Sequence, residues 1–287
     1  MNLVRDDIYD KLIGINKEAA SKEAAKGTNA QKIGDFWATA MDTLAIEKQG
    51  INPLTPALSQ IDAIKTKDDV LSLIADFQTY AGSPLFAPAI FQDEMNSDKY
   101  ALHFYQGGIG LPDRDYYFNA DSRTQNIRKE YVLHLKKMFM LLGDNEKKAE
   151  VNSKIIMRIE TDLAKASRKL EDMRDPYENY NKMTVAEFSK LTPSIKWKDL
   201  FAKMNLTGID TVIIGQPEFY KQVEKSIQSV SIDDWKTYLR WNLINNFASE
   251  LSPVFEQQNF ISMELFYPEQ KNNVHAGSEC WTWKKDF

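Results

Sequence analysis

Residues Gln106 to Tyr117 read Gln-Gly-Gly-Ile-Gly-Leu-Pro-Asp-Arg-Asp-Tyr-Tyr, a run that interrupts regular secondary structure and forces the chain to turn. Gly107, Gly108 and Gly110 permit positive φ and close backbone approach, Pro112 fixes its own φ, and Asp113 and Asp115 can bond local amides. The string predicts a rigid corner rather than an active site. It is also a poor phosphate cradle: no Lys-Ser/Thr follows to hold phosphate and magnesium, and Gly-Gly-x-Gly is not the dinucleotide fingerprint.

Most of the remaining sequence has helical period. Ile33, Phe36, Trp37, Met41 and Leu44 are expected on one face of a helix ending near Gly50, before Asn52-Pro53. Thr66 with Asp69 resembles a capping box opening a helix through Val70, Leu71, Ile74 and Phe77, stopped by Gly82 and Pro84. Tyr100, Leu102 and Phe104 alternate with polar or smaller residues, so a short hairpin with Pro84 to Phe91, connected across Gln92 to Asp98, leads into the glycine corner. Ile127, Tyr131, Leu135, Met138 and Leu142 mark the next helix, closed by Gly143. The longest helix carries an expected apolar stripe of Val151, Ile155, Ile159, Leu163, Ala166 and Leu170. Thr184 with Glu187, and Ser231 with Asp234, open two later helices, and Thr211 to Ile214 is a short strand. The fold class is mainly α, with one small β-hairpin element and no linker that cuts the chain into modules.

The balance of 36 basic and 41 acidic residues gives a net charge of -5, with no like-charge block, which argues against a nucleic-acid partner. Met1 to Ile15 contains Arg5, Asp6, Asp7, Asp10 and Lys11 and reads as neither a secretory signal nor a membrane span. A lone Cys280 excludes a disulfide framework and a cysteine zinc cluster.

Zinc hydrolysis needs two imidazoles on one helical face and a carboxylate to activate water, as in His-Glu-x-x-His. The three histidines, His103, His134 and His275, are singletons without ligand spacing, and no catalytic or metal residue is assigned. The acidic pairs Asp68-Asp69 and Asp233-Asp234 suit helix N-termini rather than acid/base catalysis. Arg114, flanked by Asp113 and Asp115, could meet a peptide carboxylate, but the favoured role is a local ion pair or a bond to backbone carbonyls. Glu160, Asp162, Arg168, Arg174 and Asp175 are expected to hold helices together.

The corner resembles the signature of the non-catalytic domain in zinc metallopeptidases of the neprilysin and endothelin-converting-enzyme type, including bacterial oligopeptidases. Gly107, Gly108, Gly110, Leu111, Pro112, Arg114, Asp115, Tyr116 and Tyr117 carry that structural motif. Lys32 to Phe36, Ile159 to Ala164, Tyr180 to Thr184 and Tyr238 to Trp241 follow in the family's order. The resemblance spans about Asp6 to Phe260. It implies residues 1–260 as a helical lid over a thermolysin-like catalytic domain, lacking the lid's first segment. Zinc, the His-Glu-x-x-His element and the peptide clamp would belong to that missing partner, leaving no cofactor in this chain. The intact bacterial parent is expected to be exported to the periplasm or cell surface.

After Asn259-Phe260 the chain departs from the family pattern. Read one frame over, with permitted synonymous codons, residues 261–287 can return the family's segment, so this stretch is expected to be an out-of-frame tail. The alternative function is a non-enzymatic helical scaffold that binds peptides or a partner chain.

Overall fold

The computed structural model describes residues 2–266, which fall into two compact units. The first is helical: α1 (Asn2–Ser21), α2 (Asn29–Met41) and α3 (Thr43–Gln49). The single helix expected through Ile33 to Leu44 is two. Asp42 accepts a bond from the Ala45 amide and so caps α3, ending the preceding helix one residue earlier. The expected apolar face is largely uncovered as well, with Phe36 77% and Leu44 78% exposed.

The second unit begins with α4 (Thr55–Ala63) and α5 (Lys67–Tyr80). Thr66 and Asp69 form a complete capping box at α5, satisfying two amides that a helix start leaves orphaned. The chain then forms β1 (Phe86–Asp93) and β2 (Asn96–Gln106). After the glycine corner come α6 (Asp115–Phe118), α7 (Ser122–Leu141) and α8 (Glu146–Ala166). Next are β3 (Asn181–Thr184), α9 (Val185–Leu191), α10 (Trp197–Lys203) and β4 (Thr211–Ile214). Helices α11 (Pro217–Ser229), α12 (Ile232–Phe247) and α13 (Pro253–Phe266) complete the described chain.

The fold is mainly α, but its β part exceeds one hairpin. Four strands form a sheet in the order β1-β2-β4-β3, with β2 and β4 parallel and the other neighbours antiparallel. The hairpin turn is also tighter than the expected Gln92 to Asp98 connection, because Asp93 already pairs with Asn96. Asn96 pairs with Asp93 and Tyr100 with Gln92, so Ser97 to Lys99 bulge out of the ladder, and Asn96 to Tyr100 are exposed. Strand β3 is four residues long, too short for a diagnostic alternation, and depends on β4 for its ladder. Its last residue, Thr184, also forms the N-terminal capping box of α9 with Glu187.

One face of the sheet carries an aromatic core. Phe104, in β2, is fully buried and meets Phe86, Phe188, Trp197, Phe201 and Tyr220 at ring separations from 5.1 to 6.0 Å. The polar tips are bonded too: Trp197 Nε1 donates to Thr192 Oγ1 at 2.7 Å, and Tyr220 Oη donates to the Tyr105 carbonyl at 3.0 Å. This is how aromatic side chains enter a core without leaving a donor stranded.

Helix α7 buries Ile127, Tyr131, Leu135 and Met138 as the period predicts. Helix α8 buries only part of its expected stripe: Ile159 and Leu163 are covered and Ile155 packs against the core. Its covered positions are Ala149, Asn152, Ser153, Ile156, Ile159, Glu160, Leu163 and Ala164, whereas Val151 is 56% exposed and Leu170 lies beyond the helix end. The buried face is rotated towards small and polar residues because α8 packs against α7, α11 and α12 together, and the buried Asn152 and Ser153 are satisfied by the loop before α8 and by the helix's own backbone. Asn152 Nδ2 donates to Asp144 at 2.7 Å and Ser153 Oγ donates to the Glu150 carbonyl at 2.8 Å.

The expected out-of-frame segment begins inside α13 at residue 261; its remainder from 267 onward, with His275 and Cys280, lies outside the described residues.

Candidate functional site

The glycine corner starts where β2 ends, and it is clamped at its first residue. The Gln106 amide donates to Gln216 Oε1 at 2.9 Å. Its side chain donates to the Arg168 carbonyl at 3.0 Å and accepts from the Arg168 amide at 2.7 Å. Arg168 in turn grips Glu218 through Nε and Nη2, a two-point contact that fixes the guanidinium plane.

The three glycines have different reasons to be glycine. Gly108 has φ +73°, and a Cβ there would lie 2.6 Å from the Tyr238 hydroxyl and 2.9 Å from the Leu85 carbonyl oxygen. The Tyr238 hydroxyl shares its proton between the Pro84 and Gly108 carbonyls, 2.7 Å from the latter. Gly110 has no positive φ, but a Cβ would fall 2.0 Å from the Tyr131 hydroxyl. Gly107 uses neither freedom: a Cβ would meet its neighbours at an ordinary 3.6 Å. The expectation of special backbone freedom at Gly107 is therefore corrected.

Beyond the glycines, Leu111 is buried and Pro112 is partly covered. Asp113 accepts from the Asp115 amide at 2.8 Å, closing the turn that starts α6. Arg114 takes the local role favoured by the sequence. It donates to Asp115 at 3.1 Å and to the Ala164 carbonyl at 3.3 Å, and its guanidinium lies 5.4 Å from the centre of the Phe118 ring. The Tyr116 carbonyl accepts from Arg128 at 2.7 Å.

Tyr117 points inward and is the centre of the corner. Its hydroxyl accepts from the amides of Gly110 and Leu111, at 3.2 and 3.1 Å, and donates to Glu160 Oε2 at 2.7 Å. Glu160 is 1% exposed and also accepts from the Tyr131 hydroxyl, 2.9 Å from both oxygens, and from Trp241 Nε1 at 3.2 Å. Burial raises its carboxyl to about 7, although the donors pull the other way. Burial with Glu160 alongside likewise pushes the Tyr117 and Tyr131 phenols well above their usual range. Sequence alone placed Glu160 among groups that hold helices together; its partners on α7 and α12 come only from the fold.

A second polar cluster was not expected. Asp93, at the end of β1, is almost fully buried and accepts from Lys182 at 2.6 Å, Tyr180 at 2.8 Å and the Met95 amide at 3.0 Å. The Lys182 and Tyr180 donors hold its carboxyl down to about 2. This cluster ties the hairpin turn to β3. The signal was present in the string Tyr180 to Thr184, but nothing local connects it with Asp93.

Zinc ligation does not fit the described residues. Among the described residues, no three His, Cys, Asp or Glu side chains converge as a metal site. His103 lies buried in β2, with Nδ1 3.2 Å from the Tyr105 hydroxyl and 3.6 Å from Glu94. His134 lies in α7, packs edge-on against Trp241 at 5.5 Å, and accepts at Nδ1 from Gln258 Nε2 at 3.0 Å. Burial, with Lys137 nearby, lowers His134 to about 4, so the ring stays neutral near neutral pH. The acidic pairs take the helix-start role: Asp68 and Asp69 occupy the first turn of α5, and Asp233 and Asp234 that of α12. Among the described residues no helix is long and apolar enough to cross a membrane.

Comparison with known proteins places this architecture. The chain is 26% identical over 278 residues to endothelin-converting enzyme 1 of Cavia porcellus, covering 92% of this chain and 36% of that protein. It is 28% identical over 232 residues to neprilysin-3 of Drosophila melanogaster, covering 73% and 29%. Among solved structures, the zinc metalloprotease Zmp1 of Mycobacterium tuberculosis in its open state superposes with a TM-score of 0.83 at 26% identity, covering 92% of this chain and 41% of that one. PepO of Lactobacillus rhamnosis HN001 shares the fold, with a TM-score of 0.71 at 17% identity. The chain thus spans roughly a third to two fifths of these relatives. The model of the N-terminal part of peptidase family M13 matches residues 1–281, and the chain belongs to that family.

Proposed function

We propose that this chain is the covering, non-catalytic part of a zinc metalloendopeptidase that acts on oligopeptides. Its partner is the catalytic half, which would carry the zinc, the glutamate that activates water, and the peptide clamp. The observation that carries this reading is the family match along nearly the whole chain. The corner supports it: Asp113, Arg114, Asp115 and the Tyr117 hydroxyl are spent on internal bonds, as in a stiff scaffold element.

The test is metal analysis and a peptidase assay on the purified 287-residue chain. The expected outcome is substoichiometric zinc and no chelator-sensitive hydrolysis. Stoichiometric tight zinc together with chelator-sensitive activity overturns the proposal. Saturable peptide binding by a stable monomer favours the scaffold alternative, whereas aggregation relieved by a supplied catalytic half favours the covering role. The out-of-frame reading of residues 261–287 is a separate proposal. It is tested by sequencing the coding DNA: a stop within a few codons of the shifted frame rejects it.

A further inference from the structure

The carboxylate at the centre of the corner has no counter-charge. Among the described residues, no Lys, Arg or His lies within ion-pair distance of Glu160. The nearby cations are committed elsewhere: Arg114 to Asp115 and the Ala164 carbonyl, Arg158 to Asp234, and Arg168 to Glu218. The titratable groups facing Glu160 are phenols, namely Tyr117 from α6, Tyr131 from α7 and Tyr238 from α12. His134, one turn along α7, meets Trp241 rather than the carboxylate. Burial without a cation pushes such a carboxyl towards taking up a proton, and it does so here against the pull of the neutral donors.

We propose that Glu160 is a proton-operated pin, whose protonated form locks the glycine corner to α7, α8 and α12 and whose ionised form loosens it. The geometry accommodates both states. The Tyr131 hydroxyl lies 2.9 Å from both oxygens, placed to donate to the carboxylate or to accept from the acid. Tyr117 links the event to the corner, because the hydroxyl that donates to Glu160 accepts from the Gly110 and Leu111 amides. The pin lies wholly within this chain and is independent of the covering role proposed above.

The sign follows from burial. A carboxyl raised from 4.5 to about 7 in the folded chain binds its proton there while the unfolded chain has released it. Its contribution is therefore fully present below about pH 4.5 and is lost as pH rises through about 7. His134 titrates with the opposite sign over an overlapping range, so the informative quantity is the difference between two chains that both retain it.

The experiment is denaturant unfolding of the full chain and its Glu160→Gln variant across that window. The wild-type folding constant, relative to the variant, is expected to fall on the order of a hundredfold as pH rises. Amide exchange at Gly110 and Leu111 is expected to accelerate over the same range in the wild type alone. A pH-independent difference between the two chains overturns the proposal. Should the variant fail to fold, a carbon-13 carboxyl NMR titration of the wild-type chain decides: a Glu160 midpoint near 7 supports the pin, and one near 4.5 overturns it.

Discussion

A side chain on Gly110 would place its first carbon 2.0 Å from the hydroxyl of Tyr131, so the corner and α7 are packed to the limit of a glycine. Gly110→Ala must displace either a buried tyrosine or the corner backbone. The expected loss is about 3 kcal/mol of unfolding free energy, the upper range for overpacking, read from denaturant melts. Tyr131→Phe removes the nearest atom but leaves the ring carbon at 2.8 Å. The double variant should therefore recover part of the loss, and strict additivity would count against the contact.

Gly108 and Gly107 are adjacent, yet alanine should separate them. At Gly108 it must adopt φ +73° and crowd the Tyr238 hydroxyl and Leu85 carbonyl. The backbone conformation alone costs about 1 to 2 kcal/mol, before the clash is counted. At Gly107 the change should stay within about 0.5 kcal/mol. Equal thermal shifts for the two variants would show that the corner's backbone is not as described.

Apolar residues at helical spacing should likewise divide by burial. Phe104 is fully buried among five aromatic rings, whereas Phe36 is 77% exposed. Phe104→Ala is expected to cost about 3 to 5 kcal/mol. Phe36→Ser should change stability by no more than about 0.5 kcal/mol. Chemical denaturation of both variants tests the contrast, and a large loss at Phe36 would reveal an interface on that face.

His134 should make the chain sensitive to acid. Its pKa is about 4 in the folded chain and 6.5 when unperturbed, so the unfolded chain takes up a proton first. Stability from this group is complete above pH 6.5 and is lost as pH falls towards 4, amounting to about 3 kcal/mol at most. His134→Gln keeps an acceptor for Gln258 and removes the titration. The melting curves of the two chains should converge as the pH is lowered, and curves that stay parallel would contradict the assignment.

Much of the helical framework was legible because its signals are local. A threonine followed three residues later by an acidic residue marks the starts of α5 and α9, since the reciprocal bonds involve only those few residues. Gly143, with φ +95°, follows α7 for the same kind of reason. The α8 face was legible only in part, at Ile159 and Leu163, because period identifies apolar positions, whereas Glu160 is buried by partners on α6, α7 and α12 that no local pattern supplies. Strand β3 and the Asp93 cluster were invisible for a related reason. Residues some ninety positions apart complete each other through the sheet.

By itself, the sequence determined a mainly helical chain, most of its helix starts, a turn at Gln106 to Tyr117 and a resemblance to the neprilysin type of peptidase. These rest on short-range sterics, capping bonds and recurring strings. Only the tertiary structure decided which glycine meets which tyrosine, that the carbonyl Arg114 reaches is Ala164 of α8, and that Glu160 gathers Tyr117, Tyr131 and Trp241. Such contacts depend on distant segments arriving at one point, where burial changes the behaviour of an ordinary carboxyl.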